Sequence, residues 1–82
     1  MDTVGTHFAL ELYDCPSGLL DDRVFVRDAI RQAAEAAGST LLNEVQHKFE
    51  PQGVTALGLL AESHISVHTW PECGYAAADV FT

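Results

Sequence analysis

Apolar and polar positions alternate along most of this chain, and the period changes only between residues 14 and 40. Residues 6–13 (Thr-His-Phe-Ala-Leu-Glu-Leu-Tyr) set Phe8, Leu10 and Leu12 on one side, the two-residue period of a strand. Asp14 to Gly18, holding Pro16, reads as a turn. Asp21 or Asp22 is placed to cap a helix running to about Ala37, with Val26, Ile30, Ala33 and Ala37 on one apolar stripe. Gly38 ends it. From Leu41 the two-residue period returns, with Leu41, Val45, His47 and Phe49 on one face and Leu42, Glu44, Gln46 and Lys48 on the other. Pro51-Gln52-Gly53 is a turn, Val54 to Leu60 a nearly continuous apolar strand, and Ser63 to Thr69 another. Pro71 to Gly74 interrupts the pattern before a last strand from Tyr75 to Phe81. The order β-α-β-β-β-β predicts an α+β fold: a two-layer α/β sandwich, its mainly antiparallel sheet covered on one face by the helix. The other face is left to solvent or to a second copy.

Composition narrows the class. Eighty-two residues make one domain, and so short a chain buries a modest fraction of its surface, so association with a second copy would add stability. Hydrophobic residues make up 48%, which excludes extended disorder. A net charge of −8 argues against nucleic acid as a partner, because phosphate contacts need Lys and Arg. No apolar run approaches the roughly 20 residues of a membrane span, and no secretory signal is visible at the N-terminus. Cys15 and Cys73 are too sparse for a disulfide scaffold, which points to a reducing cytoplasm.

The candidate chemistry lies in Glu62-Ser63-His64-Ile65-Ser66-Val67-His68-Thr69-Trp70-Pro71-Glu72, followed by Gly74-Tyr75-Ala76-Ala77 and Asp79. Upstream stand Gly5-x-His7, Glu11-x-Tyr13-x-Cys15 and His47-x-Phe49-x-Pro51-x-Gly53-Val54. In order and spacing this set resembles the prokaryotic S-adenosylmethionine decarboxylase proenzymes. An eleven-residue run that includes Trp and Pro is far more specific than a short pattern of small residues. The resemblance implies self-cleavage at Glu62-Ser63. The serine oxygen attacks the Glu62 carbonyl, elimination leaves dehydroalanine, and loss of ammonia leaves a pyruvoyl group as the cofactor. The products are a β chain, residues 1–62, and an α chain, residues 63–82. The implied activity is pyruvoyl-dependent decarboxylation of S-adenosylmethionine for polyamine (spermidine) synthesis, the substrate amine forming a Schiff base with the pyruvoyl carbonyl.

The same resemblance assigns roles residue by residue. Ser63 is the pyruvoyl precursor, Glu62 the residue left at the β-chain terminus, and His68 the group that promotes elimination. Thr55 stands where the family usually carries a serine that assists processing. Phe49 matches an aromatic that stacks on adenine, and Glu72 an acid that binds the ribose hydroxyls. Glu11 is a further candidate active-site acid. The family's proton-donor cysteine follows an Asp-x-Phe-Thr segment; here that segment is Asp79-Val80-Phe81-Thr82, where the sequence ends. The expectation is a chain short at its C-terminus, with no residue matching the donor. Cys73 sits in the Pro-Glu-x-Gly turn and does not match it.

Geometry adds a constraint. Ser63 and His68 are five residues apart, so in a regular strand they face opposite ways. They are also separated by about 16 Å at ~3.3 Å per residue. Either the strand is bulged or His68 serves the serine of a neighbouring copy. The shared site is favoured, and it agrees with a homodimer with composite active sites, as the family implies. His64 and His68 would lie about 13 Å apart on a strand, so no metal site is expected. Phe49 is open between core packing and ligand stacking, since it sits on an apolar strand face. Taken singly, Glu72 is also a solvated turn acid and Glu11 the outward position of a half-buried strand. Two other functions stay open: a pyruvoyl-dependent decarboxylase of ornithine or arginine, and a truncated, non-catalytic nucleoside-binding homologue.

Overall fold

A computed structural model describes residues 6–61 and 63–81. Gly5, Glu62 and Thr82 lie outside the described residues. The elements run β1 (His7–Leu12), α1 (Ser17–Leu20), α2 (Arg23–Ala36), β2 (Leu41–Lys48), β3 (Val54–Leu60), β4 (Ser63–Trp70), a 3-10 turn (Pro71–Cys73) and β5 (Tyr75–Phe81). The five strands form one sheet in the order β1-β5-β4-β3-β2, with every neighbouring pair antiparallel. The expected two-layer arrangement is therefore present, with the single-turn α1 an addition that begins inside the expected turn and runs past it to Leu20.

Local chemistry explains the helix ends. Asp22 is the N-cap, its carboxylate accepting from the Val24 and Phe25 N–H groups. At the other end Gly38 takes a left-handed conformation, and Ser39 N–H returns to the Ala34 carbonyl. The buried stripe of α2 is Val26, Ile30 and Ala34, whereas Ala33 and Ala37 remain exposed. Those side chains meet Val54, Ala56, Leu60 and Ile65. Gly58 permits the close approach of α2 over β3, for a Cβ there would stand 2.8 Å from Ile30 Cγ2. Removing the Ile30 side chain beyond Cβ should cost about 2–5 kcal/mol.

The second strand departs from its expected pattern. A register shift between Leu41 and Asn43 turns Leu41 toward the core, while Asn43, Val45 and His47 face away from the helix. The polar set Glu44, Gln46 and Lys48 takes the helix side, where Arg31 pairs with Glu44 and Lys48 with Asp21. The amphipathic pattern thus marks two usable faces rather than an inside and an outside.

Helix α2 covers only part of its face of the sheet. Toward β1 and β5 an apolar trough of about 310 Å³ remains, reaching from Leu10, Leu12 and Phe25 to Ala76, Ala78 and Val80. Among the described residues no helix lies on the opposite face of the sheet, and most of the candidate site residues are there. Among the described residues no helix is long and apolar enough to cross a membrane.

Candidate active site

Strand register brings separated sequence positions into one line across the uncovered face. Glu11 pairs with Ala77, Ala77 with His68, His68 with Thr55, and Thr55 with His47. Directly opposed residues on adjacent antiparallel strands have Cβ atoms about 5 Å apart, so this line is a row of neighbouring side chains. Within it, Thr55 Oγ1 and His68 Nδ1 are hydrogen-bonded at 3.0 Å. When the Nδ1 proton is donated to Thr55, Nε2 keeps its lone pair and is free to accept a proton.

This pair opens onto a concavity of about 400 Å³ formed by the end of β2, the start of β3 and the end of β4. Phe49, Thr55, His68 and Glu72, four of the residues singled out in the sequence, line it together, and Trp70 completes its wall. Phe49 is 45% exposed, which decides against core packing. The His47 and Phe49 rings meet in a T-shaped arrangement at a centroid distance of 4.5 Å. Glu72 is carried by the 3-10 turn that Pro71 opens and a left-handed Gly74 closes. His47 and Trp70 went without a role in the sequence reading. Their alternation with Phe49 and His68 was the signal that could have placed them.

The loop bearing Phe49 is fixed from behind. Phe49 N–H donates to the Gly53 carbonyl (2.8 Å), and Gly53 N–H donates to Asp21 Oδ1 (2.8 Å). Gly53 itself has φ +111°, and a Cβ there would stand 3.3 Å from the Thr69 carbonyl, so a side chain would be strained and crowded at once. Lys48 Nζ lies 2.9 Å from the same Asp21 oxygen. Its hydrogen bond, with that from Gly53, holds the Asp21 carboxyl below its ordinary range. Buried Thr69 ties the pieces together, its Oγ1 accepting from Val54 N–H and donating to the Leu20 carbonyl, both at 2.8 Å.

Glu11 belongs to a second concavity of about 410 Å³, beside Ser66, His68, Tyr75 and Asp79. Tyr75 donates its hydroxyl to Glu11 Oε1 at 2.7 Å, and this bond to the carboxylate pushes the phenol up to about 12. Tyr75 is therefore a donor at neutral pH and holds Glu11 in place. His68 lines both concavities.

Ser63 is elsewhere. It is the first residue of β4 and pairs with Leu60 across residues 61 and 62, at the end of the strand opposite to Trp70. Register puts it on the helix-side face with Ile65, whereas His64, Ser66 and His68 face the uncovered side. The β3–β4 pairing is regular from Ser63 to His68, so no bulge brings Ser63 and His68 together within one chain. Near Ser63, on the uncovered face, a group absent from the sequence reading appears. His7 Nε2 lies 2.6 Å from Asp79 Oδ2, and His64 Nε2 lies 3.5 Å from Asp79 Oδ1. The hydrogen bond from His7 holds the Asp79 carboxyl below its ordinary range.

Comparisons with known proteins bear on the family and the fold. A family model described as S-adenosylmethionine decarboxylase matches residues 6–82. The chain is similar to the S-adenosylmethionine decarboxylase proenzyme of Synechococcus sp. (strain WH7803), 67% identical over 79 residues, covering 96% of this chain and 62% of the relative. The proenzyme of the same description from Methanococcus vannielii is 54% identical over 82 residues, covering 100% of this chain and 67% of its own. The crystal structure of the adenosylmethionine decarboxylase from Aquifex aeolicus VF5 superposes with a TM-score of 0.91 at 36% identity, over 100% of this chain and 68% of that one. The chain thus spans somewhat over three fifths of the length of the Synechococcus relative.

Proposed function

The chain belongs to the S-adenosylmethionine decarboxylase family, and we propose that it acts as a self-cleaving, pyruvoyl-dependent S-adenosylmethionine decarboxylase in polyamine synthesis, in the cytoplasm. The observation that carries this reading is the convergence of Phe49, Thr55, His68 and Glu72 on one concavity, with Thr55 and His68 hydrogen-bonded. A pocket with one exposed aromatic wall, one carboxylate and a histidine suits a nucleoside bearing a positive charge: the ring face stacks on the base and attracts a nearby cation. Glu72 supplies acceptors for the ribose hydroxyls. Glu11, held by Tyr75, adds negative charge on the far side of His68.

The position of Ser63 fits the implied cofactor. As the first residue of β4, it can become a chain end without interrupting any strand. The pyruvoyl carbonyl supplies an electrophile for the substrate amine and a sink for the electron pair left as carbon dioxide departs. His68 accepts the Cα proton of residue 63 during cleavage, and the Thr55 hydroxyl holds the imidazole in the tautomer that can do so.

These roles require two copies, because Ser63 and His68 occupy opposite ends and opposite faces of one regular strand. The uncovered face supports association, for Val45, Leu57 and Leu59 are exposed there beside the catalytic row. Packing these faces about a two-fold axis, with the strands running oppositely, sets the Ser63 end of β4 in one copy beside the Thr55 and His68 end of β4 in the other. We therefore assign a homodimer with two shared sites.

The test is an intact-mass spectrum of fresh protein before and after a carbonyl-trapping hydrazine. Fragments 1–62 and 63–82, the second reactive toward hydrazine, are expected. A single mass indifferent to hydrazine contradicts the reading and favours a nucleoside-binding module.

A further inference from the structure

Cutting the Glu62–Ser63 bond would create a mechanical problem, and the fold holds a group placed to solve it. Upstream of the cut, the turn is tied to the body of the protein by Ala61 N–H, which donates to the Thr40 carbonyl at 3.3 Å. Downstream, residue 63 becomes the free end of β4, paired with Leu60 at the end of the β3–β4 ladder. Free strand ends open locally unless something fastens them. The first side chain after the cut is His64. It lies in the same cross-strand pair as Phe81, the rings stacked at 5.9 Å with planes 5° apart. Its Nε2 also faces Asp79 Oδ1 at 3.5 Å. That oxygen is shielded from solvent and has no hydrogen bond among the described residues. Its sister Oδ2 is already taken by His7 of β1. The carboxylate is thus anchored on one side and unfilled on the side facing His64. Other titratable groups on the same face are Glu11 of β1, His68 of β4 and Tyr75 of β5, all lining the concavity that Asp79 joins.

We propose that Asp79 and Phe81 of β5 form a clamp on His64 that keeps the cofactor-bearing end of β4 in place after self-cleavage. Asp79 is a positioning residue here, acting through His64, and His7 steadies Asp79. The proposal rests on the self-cleavage reading above. It predicts that the clamp matters little while the chain is continuous and matters once it is cut.

Hydrogen exchange at the amides of residues 64–67 tests this in two backgrounds: the cleaved protein and the uncleavable Ser63→Ala chain. In the cleaved protein, Asp79→Ala should speed exchange at these amides by about tenfold, as local opening of an unfastened end would. In the Ser63→Ala background the same change should alter them by less than about twofold. His64→Ala should repeat the pattern, which covers the case in which Asp79→Ala does not fold. His7→Ala should give a smaller effect of the same kind. Equal effects in both backgrounds mean an ordinary structural contact and overturn the clamp while leaving self-cleavage intact. No effect in the cleaved protein overturns it likewise. If the parent chain does not cleave, the functional reading fails first and the clamp falls with it.

Discussion

At the Trp70 end of β4, Thr55 and His68 bond to each other and open onto a cavity that also holds Phe49 and Glu72. At the Ser63 end, His7, His64 and Asp79 turn toward one another around Phe81. Both ends lie on the same face of the same sheet, and both are rich in histidine. The difference is where the polar groups point. One end lines an open concavity with its polar groups, where incoming chemistry can reach them; the other turns its polar groups toward one another across strands. One strand can carry both because β4 is central, flanked by β3 and β5, so each end borrows partners from a different neighbour.

The sharpest way to break this contrast is to remove one function from each end. Ser63→Ala should abolish cleavage altogether while leaving the circular dichroism spectrum unchanged, since Ser63 is not in the core. His68→Ala should slow cleavage by about 10²–10⁴-fold, the usual contribution of a positioned acid–base group, as followed by intact mass over time. Phe49→Ala should leave cleavage alone and weaken nucleoside binding by about 1–3 kcal/mol, the scale of base–aromatic stacking, measured by calorimetry. Retained affinity for S-adenosylmethionine in that variant would remove the stacking role. Thr55→Val should slow cleavage by only about three- to tenfold, because one hydrogen bond of about 0.5–1.5 kcal/mol is lost. Thr55→Ser should stay close to the parent.

Acid brings out the smallest difference. Asp21 behind the pocket, Asp79 at the cleavage end and Glu44 on the helix side each titrate below the ordinary range, held by Lys48, His7 and Arg31 respectively. A carboxyl depressed in the folded state contributes stability above its unfolded pKa and loses it as pH falls through the folded one. The thermal midpoint should therefore be level above about pH 5 and decline below about pH 4. Asp21→Asn should flatten that decline and loosen the Phe49 loop, whereas Asp79→Asn should flatten it without affecting nucleoside affinity.

Much of the fold was legible from periodicity because the strands alternate cleanly and α2 has a cap at Asp22 and a stop at Gly38. The β2 faces were harder to read. A bulge after Leu41 inverts that residue's side, and an open, chemically occupied sheet face is apolar enough to look like a core. The stripe on α2 passes through Ala34 rather than Ala33 and Ala37, because small residues occupy several neighbouring positions and only packing against Leu60 and Ile65 selects among them. Phe49, Thr55, His68 and Glu72 could be named from the motif, yet their meeting in one pocket depends on a register that no local pattern encodes. The Asp79 group escaped notice for the same reason: His7 and Asp79 are 72 residues apart and meet only through the β1–β5 pairing.

The central claim is that the two ends of β4 cooperate between copies and not within one. Mixing the Ser63→Ala chain with the His68→Ala chain, refolding them together and weighing the products tests it directly. Neither variant should cleave appreciably alone. In the mixture, the His68→Ala chain should be cut at Glu62–Ser63, its serine served by the histidine of its partner. If the mixture stays uncut, or if His68→Ala cleaves by itself at the parent rate, the shared site is wrong.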